Sequence, residues 1–106
     1  MEEPTLDYGA QPLDTMMEQW KLTNHELVEA SPEQLTHKQV QKARKGRKMT
    51  IPMMQKVMRA FNIAIWTKLN KEEKEAYFEY SHKHLFSYAK GYDADWTDPN
   101  VELFPK

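Results

Sequence analysis

Apolar residues recur every three or four positions along much of this chain, which is the spacing of one face of an α-helix. Before residue 70 they form four stripes: Leu13, Met16, Met17 and Trp20; Leu27 and Ala30; Val40 and Ala43; and Met54, Val57, Met58, Phe61 and Ile65. Only three glycines are present, which disfavours an all-β fold with many tight turns. The pattern predicts a compact all-α domain of four to five helices.

Capping residues mark where these helices begin and end. The threonines at positions 23 and 36 are followed three residues later by Glu26 and Gln39, which is the capping-box arrangement. Thr50 precedes a proline in the first turn, and Gly46 can take the left-handed conformation that ends the helix before it. These signals predict three successive helices of about seven, nine and at least twelve residues.

The same signals divide the chain into four parts. Residues 1–12 are predicted to be a flexible N-terminal arm, and residues 13–69 a helical core. Asn70 and the acids after it predict the start of one long helix, residues 71–90, which Gly91 ends. This C-terminal region, residues 70–91, is rich in aromatic side chains and is expected to pack on the core or at a dimer interface. Residues 92–106 are predicted to be an irregular tail.

Charge is distributed unevenly along the chain. Residues 36–59, called here the basic block, contain eight basic residues and no acid: Lys38, Lys42, Arg44, Lys45, Arg47, Lys48, Lys56 and Arg59. The 35 residues before it contain eight acids and one lysine, so the formal net charge of −1 hides a strong segregation. A basic block on a predicted helix, flanked by acidic segments, favours a surface that binds a polyanion.

The basic block lies within a recognisable arrangement. Residues 22–28 read LTNHELV, a turn follows, Thr36 opens the next helix, and Gly46 ends it before Thr50 opens a long helix. This arrangement resembles the Cro/C1 (lambda-repressor-like, XRE) helix-turn-helix family over roughly residues 13–65. The turn at residues 30–35 is about two residues longer than is typical of the family and lacks its usual glycine, and residues 31–34 have the composition of an extra helical turn.

The resemblance implies a double-stranded DNA-binding protein, a transcriptional regulator that places the helix at residues 36–45 in the major groove. It assigns base contacts to four residues: His37, Lys38, Gln41 and Lys42. It assigns phosphate contacts to five residues: Asn24, Thr36, Lys45, Arg47 and Lys48. If six charges meet phosphates, the logarithm of the binding constant should fall with the logarithm of salt concentration at a slope of about −5.

Other functions are compatible with the same sequence. A basic run is often only a solvated surface, and the basic face could bind RNA instead of DNA. Tyrosines are also favoured at interfaces. The aromatic C-terminal region could therefore bind a protein partner or a second copy of the chain, through Tyr77, Tyr80, Phe86 and Tyr88. The chain would then be an interaction module on a helix-turn-helix-like fold.

Enzymatic chemistry is not indicated. No serine or cysteine lies in a nucleophile motif, and the chain has no cysteine at all. His82 and His84 are two residues apart and would point in different directions on a helix, so no metal site is expected. No cofactor is expected either. No apolar run approaches the length that spans a membrane, which favours a cytoplasmic protein.

Overall fold

The structure is a computed structural model that describes residues 7–105. These residues form six α-helices and one turn of 3₁₀ helix: α1 Pro12–Gln19, α2 Asn24–Ala30, α3 His37–Lys45, α4 Ile51–Trp66, α5 Lys71–Ala76, α6 His82–Leu85 and the 3₁₀ turn Val101–Leu103. Between residues 7 and 105 the only β-type pairing is an isolated bridge between Asp7 and Arg47. The predicted all-α fold is confirmed.

The predicted caps account for the starts of α2, α3 and α4. The amide of Glu26 donates to Thr23 Oγ1 at 3.2 Å, and that of Gln39 donates to Thr36 Oγ1 at 3.1 Å. In both cases the third residue's side chain also accepts from the threonine's backbone N–H, which completes a capping box. Gly46 ends α3 with φ +95°, a conformation that glycine adopts without a steric penalty.

The helix α4 is the centre of the core. It contributes seven buried residues: Met54, Val57, Ala60, Phe61, Asn62, Ala64 and Ile65. The helix α2 packs on α4 and on α3, while α1 packs on α3 and α6. The stripes predicted for α1, α2 and α3 face this core, and Leu13, Leu27 and Val40 are fully buried in it. The four helices thus close around one hydrophobic interior.

The prediction of one long helix over residues 71–90 was wrong. Two short helices, α5 and α6, replace it, and the segment between them, residues 77–81, is not helical. Two buried asparagines hold that segment. Asn62 exchanges hydrogen bonds with the backbone N–H and C=O of Tyr80, at 3.0 and 2.9 Å, and Asn100 does the same for Phe78, at 2.8 and 2.7 Å. These bonds replace the helical ones, so the backbone groups remain paired although the helix is broken.

The part of the predicted N-terminal arm that the structure describes packs against the core and does not extend freely. Tyr8 donates its backbone N–H to the Gly46 carbonyl at 2.8 Å, and Gln11 donates to the Arg44 carbonyl at 3.1 Å. The Tyr8 ring stacks on Tyr88 with 4.6 Å between centroids. The arm therefore satisfies carbonyls at the C-terminal end of α3. Residues 1–6 of the predicted arm lie outside the described residues.

The turn between α2 and α3 contains no extra helical turn. Ser31 and Glu33 bond to each other, and Glu33 accepts two hydrogen bonds from Arg59 on α4, at 2.7 and 2.8 Å. Lys56 donates to the Gln34 carbonyl at 2.8 Å, and Leu35 is buried below the turn. The hydrogen bonds from Arg59 and Lys56 thus fix the long turn to α4.

The tail follows an irregular path, as predicted, but it is packed over much of its length. Phe104 meets the Trp20 ring edge-on with 5.0 Å between centroids, and Trp96 stacks on His84 at 4.2 Å. No helix within residues 7–105 is both long and apolar enough to cross a membrane.

Candidate nucleic-acid interface

The helix α3 has one buried face and one exposed face. Val40 and Ala43 are buried against the core. At about 100° per residue, positions 37, 38, 41, 42 and 45 fall within one sector of about 140° on the other side. His37, Lys38, Gln41 and Lys45 are exposed there, and Lys42 is half-buried. The structure therefore brings all four predicted base-contacting residues onto one face, together with one predicted phosphate-contacting residue.

Three of the eight cations of the basic block are used in internal contacts. Arg44 pairs with Asp14 on α1, with 2.6 Å from Nε to Oδ1. Arg59 pairs with Glu33, and this bond is the main reason that the pKa of Glu33 is lowered. Lys56 donates to a backbone carbonyl of the α2–α3 turn. Arg44 thus ties α3 to α1, while Arg59 and Lys56 tie α4 to the turn between α2 and α3.

The other five cations form no ion pair with any residue between 7 and 105: Lys38, Lys42, Lys45, Arg47 and Lys48. Arg47 and Lys48 are exposed in the connection between α3 and α4, directly after the capping glycine. Tyr88 supports this connection, because its hydroxyl accepts from the Met49 amide at 3.0 Å and donates to the Arg47 carbonyl at 3.3 Å. Positive charge thus runs from the exposed face of α3 onto the following connection.

Asn24, predicted to contact a phosphate, has its side chain engaged between α2 and α3. Its Oδ1 accepts from Arg44 Nη1 at 2.7 Å, and its Nδ2 donates to Gln41 Oε1 at 3.0 Å. Thr36, another predicted phosphate contact, is exposed, and its hydroxyl oxygen accepts from the Gln39 amide as the α3 cap. Both residues lie beside the exposed face, but each already has a structural task.

Two histidines meet at the N-terminal ends of α2 and α3. The rings of His25 and His37 are stacked with 5.6 Å between centroids and 17° between planes. His25 also lies 3.7 Å from Glu29 on its own helix. Sequence reasoning singled out His37 but gave His25 no role, because only the tertiary packing of α2 on α3 makes them neighbours.

The prediction of a partner interface at four aromatic residues was wrong for two of them. Tyr80 and Phe86 are fully buried in the chain's own core. Trp20 Nε1 donates to the Tyr80 hydroxyl at 3.2 Å, and that hydroxyl donates to Asp98 at 2.6 Å. Burial, together with this bond to Asp98, raises the pKa of Tyr80. Tyr80 therefore acts inside the fold.

The other two aromatic residues, Tyr77 and Tyr88, are half-buried. Tyr77 donates its hydroxyl to Asn62, and Tyr88 stacks on Tyr8. Each has an internal partner for its polar or aromatic group. The surface that they leave exposed is not the continuous aromatic face that a single long helix would have presented.

Sequence reasoning missed the structural role of Arg44 and Asp14. Arg44 was counted only as one more cation of the basic block. Its helical position was a usable signal, because Arg44 follows Val40 by four residues and so lies on the side of α3 that faces the core. Its partner Asp14 is 30 residues away in sequence, and no local pattern predicts that pairing.

Across residues 7–105, no group of three or more histidine, cysteine, aspartate or glutamate side chains is arranged to hold a metal ion. The side chains on the exposed face of α3 are cations, one carboxamide and one imidazole. Such groups can bind phosphate oxygens and donate to or accept from base edges.

Comparison with known proteins gives no further assignment, because no protein-family model, no curated protein and no solved structure matches this chain. Its function is inferred from its own residues and their geometry.

Proposed function

We propose that this chain is a non-enzymatic double-stranded DNA-binding protein, a transcriptional regulator that inserts α3 into the major groove. One observation carries the proposal. Within the basic block, the five cations that have no internal partner all lie on the exposed face of α3 or in the connection directly after it: Lys38, Lys42, Lys45, Arg47 and Lys48. Five neighbouring cations without internal partners give one end of α3 the positive charge that a phosphate backbone attracts.

The support around α3 favours the same function. A recognition helix must be held rigidly while its outer face stays accessible. The capping box at Thr36, the ion pair between Arg44 and Asp14, and the fixed turn at residues 31–35 hold α3 from three sides. The resemblance of residues 13–65 to the Cro/C1 family adds that such helices read base edges from the major groove.

The proposal is tested by fluorescence anisotropy of the purified chain with a random pool of labelled duplex DNA at several salt concentrations. If the five cations together neutralise five phosphate charges, the slope of log K against log salt is expected to be about −4.5. Selection of tight binders from the pool should then enrich a sequence motif. Absence of binding at low salt would contradict the proposal.

Charge reversal identifies the surface that binds. Lys38→Glu combined with Lys42→Glu should abolish specific binding, and the magnitude of the salt slope for residual binding should fall by about two. The matched control is Lys71→Glu combined with Lys90→Glu, which changes the net charge equally at two exposed lysines outside the basic block. If the control pair weakened binding as much as the α3 pair, the effect would be one of net charge, and α3 would not be the binding element.

The alternatives are separated by the same assay. Competition with duplex RNA and single-stranded RNA should be weaker than competition with duplex DNA, and the opposite order would assign the basic face to RNA. We propose that two copies read paired half-sites, as dimeric helix-turn-helix proteins do. Sedimentation analysis of the complex should show two chains bound to each duplex. One chain bound to each duplex would contradict the proposed pairing of two copies.

A further inference from the structure

Four side chains form a continuous line of hydrogen bonds from α1 to the exposed face of α3. Arg44 donates from Nε to Asp14 Oδ1 at 2.6 Å and from Nη1 to Asn24 Oδ1 at 2.7 Å. Asn24 in turn donates from Nδ2 to Gln41 Oε1 at 3.0 Å. The line connects three helices and ends on an exposed carboxamide at the centre of the basic face.

The chemistry of arginine sets the polarity of this line. A guanidinium group has only donors. The Asn24 atom that faces Arg44 must therefore be the oxygen, so the Asn24 amide nitrogen faces Gln41. That nitrogen can only donate hydrogen bonds, so the Gln41 atom that accepts from it must be Oε1. Arg44 therefore sets the orientation of the Gln41 carboxamide through Asn24.

The consequence is that Gln41 presents donors to solvent. Its Nε2, with two N–H groups, has no hydrogen-bond partner within residues 7–105, while its oxygen is turned to Asn24. The charge-assisted bond between Arg44 and Asp14 anchors the arrangement, because bonds between ionised groups are the stronger ones. A glutamine without such a contact can rotate its carboxamide and present either the oxygen or the nitrogen. Gln41 instead keeps its oxygen toward Asn24 and presents its nitrogen, a donor, to solvent.

The four bases respond differently to a pair of donors in the major groove. Guanine presents two neighbouring acceptors, N7 and O6, on one base edge. The two-bond contact of glutamine with adenine requires the glutamine oxygen to lie beside N6 of the base, whereas the Gln41 oxygen lies beside the Asn24 amide nitrogen, 3.0 Å away. Cytosine presents a donor at N4, which opposes an N–H group. Thymine presents one acceptor, O4, beside its methyl group, so it can take only one of the two N–H groups. Guanine alone offers neighbouring acceptors to both, so the donors that Gln41 presents match guanine.

We propose that Gln41 selects guanine in the DNA site, and that Asn24 and Arg44 are positioning residues that give Gln41 its donor polarity. This inference rests on the proposed function, since it assigns a base preference to the face that is proposed to enter the groove. It goes beyond that function by naming the base and the residues that determine the choice.

The test is affinity selection from a random duplex DNA pool, followed by sequencing, with the wild-type chain and four variants. The wild type should enrich one position at which guanine is preferred roughly tenfold or more over the other bases. Gln41→Ala should lose the preference at that position alone. Gln41→Glu should change the preferred base there to cytosine, because a carboxylate accepts from N4. Gln41 is exposed, so neither change should unfold the chain.

The positioning role has its own readout. Asn24→Ala releases the Gln41 carboxamide to rotate, so adenine should become accepted beside guanine while the rest of the motif stays the same. A merely structural role for Asn24 would weaken binding to all sequences equally and leave the preference unchanged. Gln19→Ala, at an exposed glutamine on α1, is the matched control and should leave the motif intact.

Each contrary result has a distinct meaning. A motif that Gln41→Ala leaves unchanged would overturn the inference and leave the proposed DNA binding standing. A preference for adenine or cytosine at the position controlled by Gln41 would do the same. A guanine-only preference that persists in Asn24→Ala would overturn the positioning role. Failure of the wild type to bind any duplex would remove the proposed function itself, and the inference with it.

Discussion

Lys21 occupies a backbone conformation that normally belongs to glycine. It lies directly after the C-cap of α1 with φ +56°. The Lys21 amide donates to the Glu18 carbonyl at 3.1 Å, and the Leu22 amide donates to the Met17 carbonyl at 2.8 Å. These two bonds are those of a Schellman motif, whose left-handed position favours glycine because a Cβ there crowds the carbonyl.

Lys21→Gly should therefore stabilise the chain. Removing the Cβ relieves the steric strain of the left-handed conformation and adds about 1–2 kcal/mol to the free energy of unfolding. The greater conformational freedom of glycine in the unfolded chain offsets about half of this gain. The expected net gain in the free energy of unfolding is about 0.5–1 kcal/mol, measured by urea unfolding followed by tryptophan fluorescence. Lys21→Ala keeps the Cβ and should give no such gain; an equal gain in both variants would show that the lysine side chain, and not its backbone, was the cause.

At the scale of elements, local capping signals were reliable wherever the partner of the cap is three residues away. Thr23, Thr36 and Thr50 each cap the helix predicted for them, and Gly46 ends α3. Such signals can be read from sequence because the donor and the acceptor lie within one turn. The Asn70 cap is equally real, with 2.8 Å from the Glu73 amide to Asn70 Oδ1. It starts α5 correctly but contains no information on where that helix stops.

The short helix α6 has a cap that depends on protonation. The Ser81 amide donates to His84 Nδ1 at 3.0 Å, so that nitrogen must be unprotonated. Burial lowers the pKa of His84, with a contribution in the same direction from Lys83 and one in the opposite direction from Asp98. The folded state thus favours the neutral ring, whose stabilisation is complete at neutral pH. This stabilisation is lost as the pH falls from the unfolded-state pKa of about 6.5 through the lower folded-state pKa of His84.

We expect a small acid-dependent loss of stability from His84, about a few tenths of a kcal/mol between pH 7 and pH 5, because solvent screens a partly exposed ring. The measurement is the urea midpoint at several pH values for the wild type and for His84→Gln. Glutamine can accept the same cap bond without titrating. The variant should therefore lose less stability in acid than the wild type. Identical pH profiles would exclude the cap as a source of the dependence.

At the scale of the whole molecule, three buried carboxamides replace part of the regular hydrogen bonding. Gln11, Asn62 and Asn100 are the polar residues that are buried within the described chain. Gln11 accepts from the Ser87 amide at 2.7 Å and donates to the Gly9 carbonyl at 3.0 Å. Each carboxamide joins segments far apart in sequence, because it can donate and accept at the same time.

Asn62→Leu should be strongly destabilising. Leucine has a similar size but leaves the backbone N–H and C=O of Tyr80 and the Tyr77 hydroxyl without their partner. Each unpaired buried group costs about 1–3 kcal/mol, so the three together should lower the free energy of unfolding by at least roughly 3 kcal/mol. Urea unfolding provides the measurement. The control, Gln19→Leu at an exposed position, should change stability by about 0.5 kcal/mol at most.

The sequence alone determined the helices α1 to α4, the threonine caps of α2 to α4, their buried stripes and the location of the basic block. These features depend on periodicity and on contacts within a turn, which are local properties of the chain. It also placed Lys38, Gln41 and Lys42 on one helix face, since a helix fixes the direction of each residue once its bounds are known.

Only the tertiary structure decided the rest. It divided residues 71–90 into two helices, because Asn62 and Asn100 supply hydrogen bonds from distant parts of the chain. It also separated the basic block into three cations with internal partners and five without. The pairing of Arg44 with Asp14 joins residues 30 positions apart, and such a contact depends on how the helices pack and not on their individual sequences.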